Sequence, residues 1–242
     1  MKQHFITYFA LFIFTVLLSC MTKQRLIREK FRSLNEKEHV SVVLLGNSLS
    51  GRRWLSETNS VQGNYLKEHL GELLGSSKIS IINSSTPDDT FNSTKRRVQE
   101  DVLSYRPDIV ILMIGLLDSY LPGLSDDTFR MQVKDLFDIL HKHNTFVIVL
   151  TAVGFRDVMP GYDSRLDRLS QFNEIIIWEA GSHNFPVIDA GGYLDRLRIW
   201  NPKEYRSMFL DEFLLNEKGQ EYIMEYVIKH LNKAYKKRGG NS

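Results

Sequence analysis

The chain has 242 residues, of which 43% are hydrophobic and 25% charged, the make-up of a folded protein long enough for one sizeable core. Its net charge of +2 comes without a long basic run, which argues against nucleic acid as a partner.

The first twenty residues stand apart. Lys2 supplies a positive start, Phe5 to Leu18 is almost wholly apolar, and Ser19-Cys20 follows at once, which is the order of an export signal. The run is shorter than the ~20 apolar residues of a membrane-spanning helix, and a span beginning at His4 is the alternative. Leu17-Leu18-Ser19-Cys20 resembles a bacterial lipoprotein box, with Cys20, the single cysteine of the chain, as the expected lipidation site. Lys23, Arg25, Arg28, Lys30 and Arg32 follow the apolar run, and positive charge there favours a cytoplasmic downstream side. Two locations therefore stand: an exported lipoprotein of the bacterial cell envelope, and a signal-anchored membrane protein. Residues 21–38 are polar and mixed in charge, with Leu26, Phe31 and Leu34 too sparse for a core face. They are expected to form a tether, in part helical.

From residue 39 to 242 a single domain is expected. Short apolar runs at 40–45, 78–83, 108–114, 145–151 and 185–189 alternate with amphipathic stretches at 61–74, 92–104, 126–142, 165–181 and 217–236. That alternation predicts an α/β fold, a three-layer, doubly wound, flavodoxin-like sheet of five parallel strands. The central runs are nearly all apolar, as strands covered on both faces should be. In 217–236, Tyr222, Ile223, Tyr226, Val227 and Leu231 recur at helical spacing, and Asn216 is placed to cap that helix. Ligands of such sheets bind beyond the carboxyl ends of the strands, so the chemistry is sought there.

Four strand ends carry motifs. The first is Gly46-Asn47-Ser48-Leu49-Ser50, a tight turn presenting a serine. The second is Asn83-Ser84-Ser85-Thr86-Pro87-Asp88-Asp89-Thr90, the third Gly115-Leu116-Leu117-Asp118, and the last Asp211-Glu212-Phe213-Leu214-Leu215-Asn216. Taken in order they resemble the consensus blocks of the SGNH or GDSL hydrolase family, and the resemblance runs from about His39 to the C-terminus. It implies the SGNH hydrolase fold, with Ser48 at the nucleophile position and Asp211 at the triad carboxylate. It also implies an oxyanion site formed by the Ser48 amide, a second-block glycine amide and a third-block asparagine side chain. Asp88 replaces that glycine, Leu117 replaces that asparagine, and Leu214 occupies the position of the catalytic histidine.

These replacements bear on chemistry. A serine hydroxyl is a poor nucleophile until a base takes its proton, and removing such a base costs on the order of 10⁶ in turnover. Losing one oxyanion donor costs about 10²–10³. Among the other histidines, His39, His69, His141, His143, His183 and His230 fall in helix stretches or ahead of strands, where a surface or helix-end role is expected. Asp211 without its partner reads as a loop carboxylate or a cap, with Asp211 or Glu212 as a weak substitute base at most. Asn173 and Trp178 read as structural, Trp54, Trp200, Tyr193 and Tyr205 as core or rim, and Arg52 and Arg53 as a solvated pair. No His/Asp/Glu grouping has metal-ligand spacing, so neither a metal nor another cofactor is expected. The reading is a catalytically impaired, esterase-like envelope protein, a pseudoenzyme that binds a glycan, an acyl-ester polymer or a protein. An active serine esterase or acyltransferase with a rearranged base is the alternative, and a scaffold without ligand the third.

Overall fold

The computed structural model describes residues 25–46, 61–74, 79–86, 89–157 and 161–236. In chain order these form α1 (residues 25–34), β1 (Val40–Gly46), α2 (Val61–Leu74), β2 (Ile79–Asn83), α3 (Phe91–Asp101), β3 (Ile109–Met113), α4 (Asp126–Lys142), β4 (Phe146–Leu150), α5 (Tyr162–Ser182), β5 (Val187–Ile188), α6 (Ala190–Trp200), α7 (Pro202–Ser207) and α8 (Glu217–Lys236). The five strands pair in parallel in the order β2-β1-β3-β4-β5. This is the expected flavodoxin-like order, with its switch point between β1 and β3.

The sheet separates two apolar layers because successive side chains of a strand point to opposite faces. Val42, Leu44, Ile111 and Ile148 face one layer, completed by α1, α2, α6, α7 and α8. Val43, Leu45, Val110 and Val147 face the other, completed by α3, α4 and α5. Helix ends are capped as their residues predict. The Ser125 side chain accepts from the Thr128 amide ahead of α4, and Asn216 Oδ1 accepts from the Gly219 amide at 3.0 Å at the start of α8, satisfying donors that the helix cannot pair itself.

Two departures from the sequence expectation stand out. The stretch expected as a partly helical tether without a core face holds the helix α1 but buries Ile27, Phe31 and Leu34 in the first layer. Phe31 meets Phe146 and Tyr235 at ring-centroid distances of 6.5 and 6.2 Å, so three apolar residues in three turns suffice when each is fully enclosed. The segment between β5 and α8 holds α6 and α7, neither of which was expected. Gly191-Gly192 and Pro202 disguise them, since glycine weakens a helix pattern and proline usually ends one. Here the Asp189 side chain caps α6 through the Gly192 amide at 3.0 Å, and Pro202 sits in the first turn of α7, where its missing amide costs nothing.

The burial of Phe31 yields the first prediction. Phe31→Ala lowers the unfolding free energy by about 3–5 kcal/mol, measured by urea titration, whereas the neighbouring exposed Arg32→Ala changes it little. Equal, small effects would mean that α1 is dispensable to the fold.

Candidate functional site

The site is built where β1 and β3 end. Gly46, the last residue of β1, pairs with Met113, the last of β3. Its φ of +140° already disfavours any residue with a side chain, and an added Cβ would lie 1.8 Å from the Met113 carbonyl oxygen. A glycine is therefore obligatory at this close approach of two backbones. Ser48 follows two residues later and lies outside the described residues, as do Asp88, Cys20, Arg52, Arg53 and Trp54.

Beyond β3 the chain turns at Gly115 (φ +125°) into a 3-10 turn over Asp118–Tyr120. The Ser119 amide donates to Gly115 O at 3.1 Å and the Tyr120 amide to Leu117 O at 3.0 Å. Leu117 is half-buried at the head of this turn and offers no side-chain donor. Asp118 is fully buried, and its carboxylate accepts from the amide of Phe91 at 3.1 and 3.4 Å. Phe91 opens α3, which Thr90 and Ser93 cap reciprocally. One carboxylate thus ties the loop after β3 to the helix that follows the loop after β2. Burial pushes the Asp118 carboxyl up to about 7; amide hydrogen bonds partly oppose this, and the charge of Asp89 adds to it.

Asp89 is itself buried. It accepts from Arg97 Nε at 3.1 Å and from Arg97 Nη2, and from the Thr86 amide at 3.1 Å. Arg97 also holds Asp101 at 2.9 Å. The second-block aspartate is therefore a two-pronged clamp on α3, a geometry that suits guanidinium and carboxylate.

The last block places its retained carboxylate elsewhere. Asp211 is exposed, and its Oδ1 accepts from the amides of Phe213 and Leu214, both at 2.7 Å. This is an Asx turn, a local use of the side chain that fixes the loop. The Leu210 amide donates to Leu214 O at 2.8 Å, and the Arg156 amide donates to Glu212 O at 2.9 Å, joining this loop to the one after β4. Leu214 is half-buried.

An aromatic group that the sequence reading did not single out joins the same loops. The Tyr120 ring meets Phe155 at 5.4 Å and Phe213 at 5.2 Å, both edge-on, a favourable geometry for ring quadrupoles. Leu116, Ala152, Phe155 and Leu169 are buried in this cluster, with Tyr120, Leu166 and Phe213 packed against it. The Arg165 guanidinium lies 4.8 Å over the Tyr120 ring. Burial raises the Tyr120 phenol above its ordinary pKa; Arg165 opposes the shift and Glu212 adds to it. The signal available in sequence was positional, since Tyr120, Phe155 and Phe213 each follow within seven residues of a strand end or sit inside the last block.

The described histidines lie away from this end. His39 precedes β1, His141 and His143 end α4 ahead of β4, His183 links α5 to β5, His230 is in the closing turns of α8, and His69 is inside α2. His183 is engaged by Glu179 O at 2.7 Å and Asp138 at 2.9 Å. Among the described residues, then, no imidazole sits on a loop at the strands' carboxyl ends. Asn173 is structural as expected. It accepts from the Ala152 amide and donates to the Ala152 carbonyl, both at 2.9 Å. Tyr205 is core, donating to Phe155 O at 2.5 Å, while Trp200 is 84% exposed. A cavity of about 100 Å³ beside Asn173, Gly154 and Gly191 is smaller than the ~300 Å³ of ordinary small-molecule sites.

The Asp118 geometry predicts a pH dependence. Its folded pKa is raised above the unfolded value, so the folded state binds the extra proton, and stability falls as pH rises from about 4 to about 7 before levelling. Asp118→Asn removes that fall. The variant gains on the wild type by at most about 4 kcal/mol above pH 7, and the gain vanishes near pH 4. Parallel denaturant titrations at several pH values check this, and a pH-independent difference would refute it.

The sequence profile of the GDSL-like lipase/acylhydrolase family matches residues 44–222. Several solved structures share the fold. A lipase/acylhydrolase from Enterococcus faecalis is 20% identical with a TM-score of 0.63, covering 79% of this chain and 95% of that one. The acetyl xylan esterase AlAXEase is 21% identical at 0.63, covering 79% and 99%. A catalytic mutant of an acetylxylan esterase from Geobacillus stearothermophilus is 16% identical at 0.66, covering 79% and 94%. No curated protein sequence matches.

Proposed function

We propose that this chain, which belongs to the GDSL-like lipase/acylhydrolase family, has lost the family's ester hydrolysis and binds a glycan or other acylated polymer at the carboxyl ends of its strands. The observation that carries this reading is the state of the last block. Leu214 stands where a base is needed, and the neighbouring Asp211 carboxylate is spent on two backbone amides of its own turn. A leucine cannot take a serine proton, and among the described residues the Asp211 carboxylate has no imidazole to orient.

Two further features support it. Leu117 offers no side-chain donor to an oxyanion, and the half-buried rings of Tyr120 and Phe213, braced on the buried Phe155, present an apolar surface of the kind on which sugar rings or acyl groups rest. The acyl-glycan class is suggested by the fold neighbours, which include acetylxylan esterases. The N-terminal run and Cys20 support a location at a bacterial cell envelope, with the chain held by a lipid on Cys20 or by a signal anchor. Cys20→Ser separates the two, because it abolishes incorporation of labelled palmitate only in the first case.

The alternative is an esterase with a rearranged base, which the retention of Ser48 favours. The two readings differ in reactivity. The wild type is expected to resist fluorophosphonate labelling and to turn over p-nitrophenyl acetate no faster than Ser48→Ala. Labelling that Ser48→Ala abolishes would overturn the proposal. Leu214→His alone is expected to leave turnover within about tenfold of that background, because Leu117 still withholds the side-chain oxyanion donor and Asp88 still stands at the glycine position.

A further inference from the structure

α1 lies at the end of the molecule opposite the site. Phe31 packs on Phe146, the first residue of β4, residues 35–39 lead directly into β1, and Lys37 is held at 2.5 Å by Asp108, which immediately precedes β3. The closing turns of α8 reach the same place. Arg28 Nε donates to Ala234 O at 3.4 Å, and Tyr235 stands 6.2 Å from Phe31.

This pole has an excess of basic residues. Between residues 25 and 38, Arg25, Arg28, Lys30, Arg32 and Lys37 outnumber Glu29, Glu36 and Glu38, and Lys229 and Lys233 of α8 add two positive charges without an acid. The end of α2, which packs on α8, contributes Glu72. Arg25 is paired with Glu29 at 2.6 Å and Lys37 with Asp108. Lys30, Arg32, Lys229 and Lys233 have no carboxylate partner among the described residues, and Arg32, Lys229 and Lys233 are exposed. With Asp108 counted among the acids, seven cations stand against five carboxylates here, so this pole carries an excess of two positive charges, equal to the net charge of the whole chain.

That pole is also where the chain emerges from its apolar N-terminal run. Leu18 ends the run and Arg25 opens α1, a step of seven residues that spans at most about 25 Å even when fully extended. Whatever holds the apolar run or Cys20 in a bilayer therefore keeps this pole within reach of the headgroups, where a basic residue gains attraction to an anionic surface that fades within a Debye length.

We propose that the pole formed by α1 and the end of α8 docks on an anionic phospholipid surface, through Lys30, Arg32, Lys229 and Lys233, and so fixes the orientation of the domain. The inference rests on the membrane attachment proposed above. With β1 of seven and β3 of five residues rising ~3.3 Å per residue, the carboxyl ends of these strands then face away from the bilayer by roughly 20 Å, open to a polymer and turned from the membrane's own lipids.

The test uses the full chain with vesicles of phosphatidylcholine alone or of phosphatidylcholine mixed with phosphatidylglycerol. Flotation reads attachment, and lysine acetylation followed by mass spectrometry reads the docked face. Docking predicts several-fold slower acetylation of Lys30, Lys229 and Lys233 on the anionic vesicles, with Lys203 and Lys218 unchanged. The protection is expected to vanish in high salt, and in the Arg32→Glu/Lys233→Glu variant at Lys30 and Lys229. Flotation with both vesicles at equal acetylation would overturn docking and leave the anchor standing. Salt-sensitive flotation with anionic vesicles alone would support docking and remove the anchor. Flotation with neither overturns docking as well.

Discussion

Leu44, Ile111 and Ile148 on one face of the sheet, and Val43, Val110 and Val147 on the other, are all removed from water. A strand that is apolar on both sides must be covered on both sides, and right-handed crossovers can do so only by reversing direction once in the sheet. The reversal falls between β1 and β3. Every loop that can carry chemistry is thereby sent to one end of the molecule, and every strand-entering connection to the other.

The architecture of the site follows from that segregation. Gly46 must be glycine because β3 passes against it. Asp118 is buried where it supplies an acceptor to the first amide of α3, and its elevated pKa is the cost of placing a carboxyl there with no cation at contact among the described residues. These features hold the loops at the carboxyl ends of the strands, where the positions that the family resemblance assigns to an oxyanion donor and to the base, 117 and 214, are leucines. In the proposed reading scaffold and chemistry are separable, because the scaffold depends on backbone geometry and burial whereas the chemistry depends on a few donors and one base.

The opposite pole shows the same economy. α1 closes the bottom of the first apolar layer with Phe31, and its polar side carries the basic residues that follow the apolar N-terminal run. A segment that looks like a spacer in sequence is both a piece of the core and the first helix after the apolar N-terminal run among the described residues.

The sequence alone determined the strand order class, the position of five amphipathic helices, the cap at Asn216 and the identity of the residues at the family's blocks. These are local or periodic properties, and hydrophobic periodicity and motif spacing record them directly. Three things were decided only in three dimensions. The burial of Phe31 depends on Phe146 and Tyr235, which lie more than a hundred residues away in the chain. The clustering of Tyr120, Phe155 and Phe213 depends on three loops meeting at one end of the sheet. The fate of Asp211, turned onto its own amides, depends on the conformation of a short loop. Each is a contact between segments or a choice among local hydrogen bonds, and such choices are made by the packed chain as a whole, not by the composition of any one stretch.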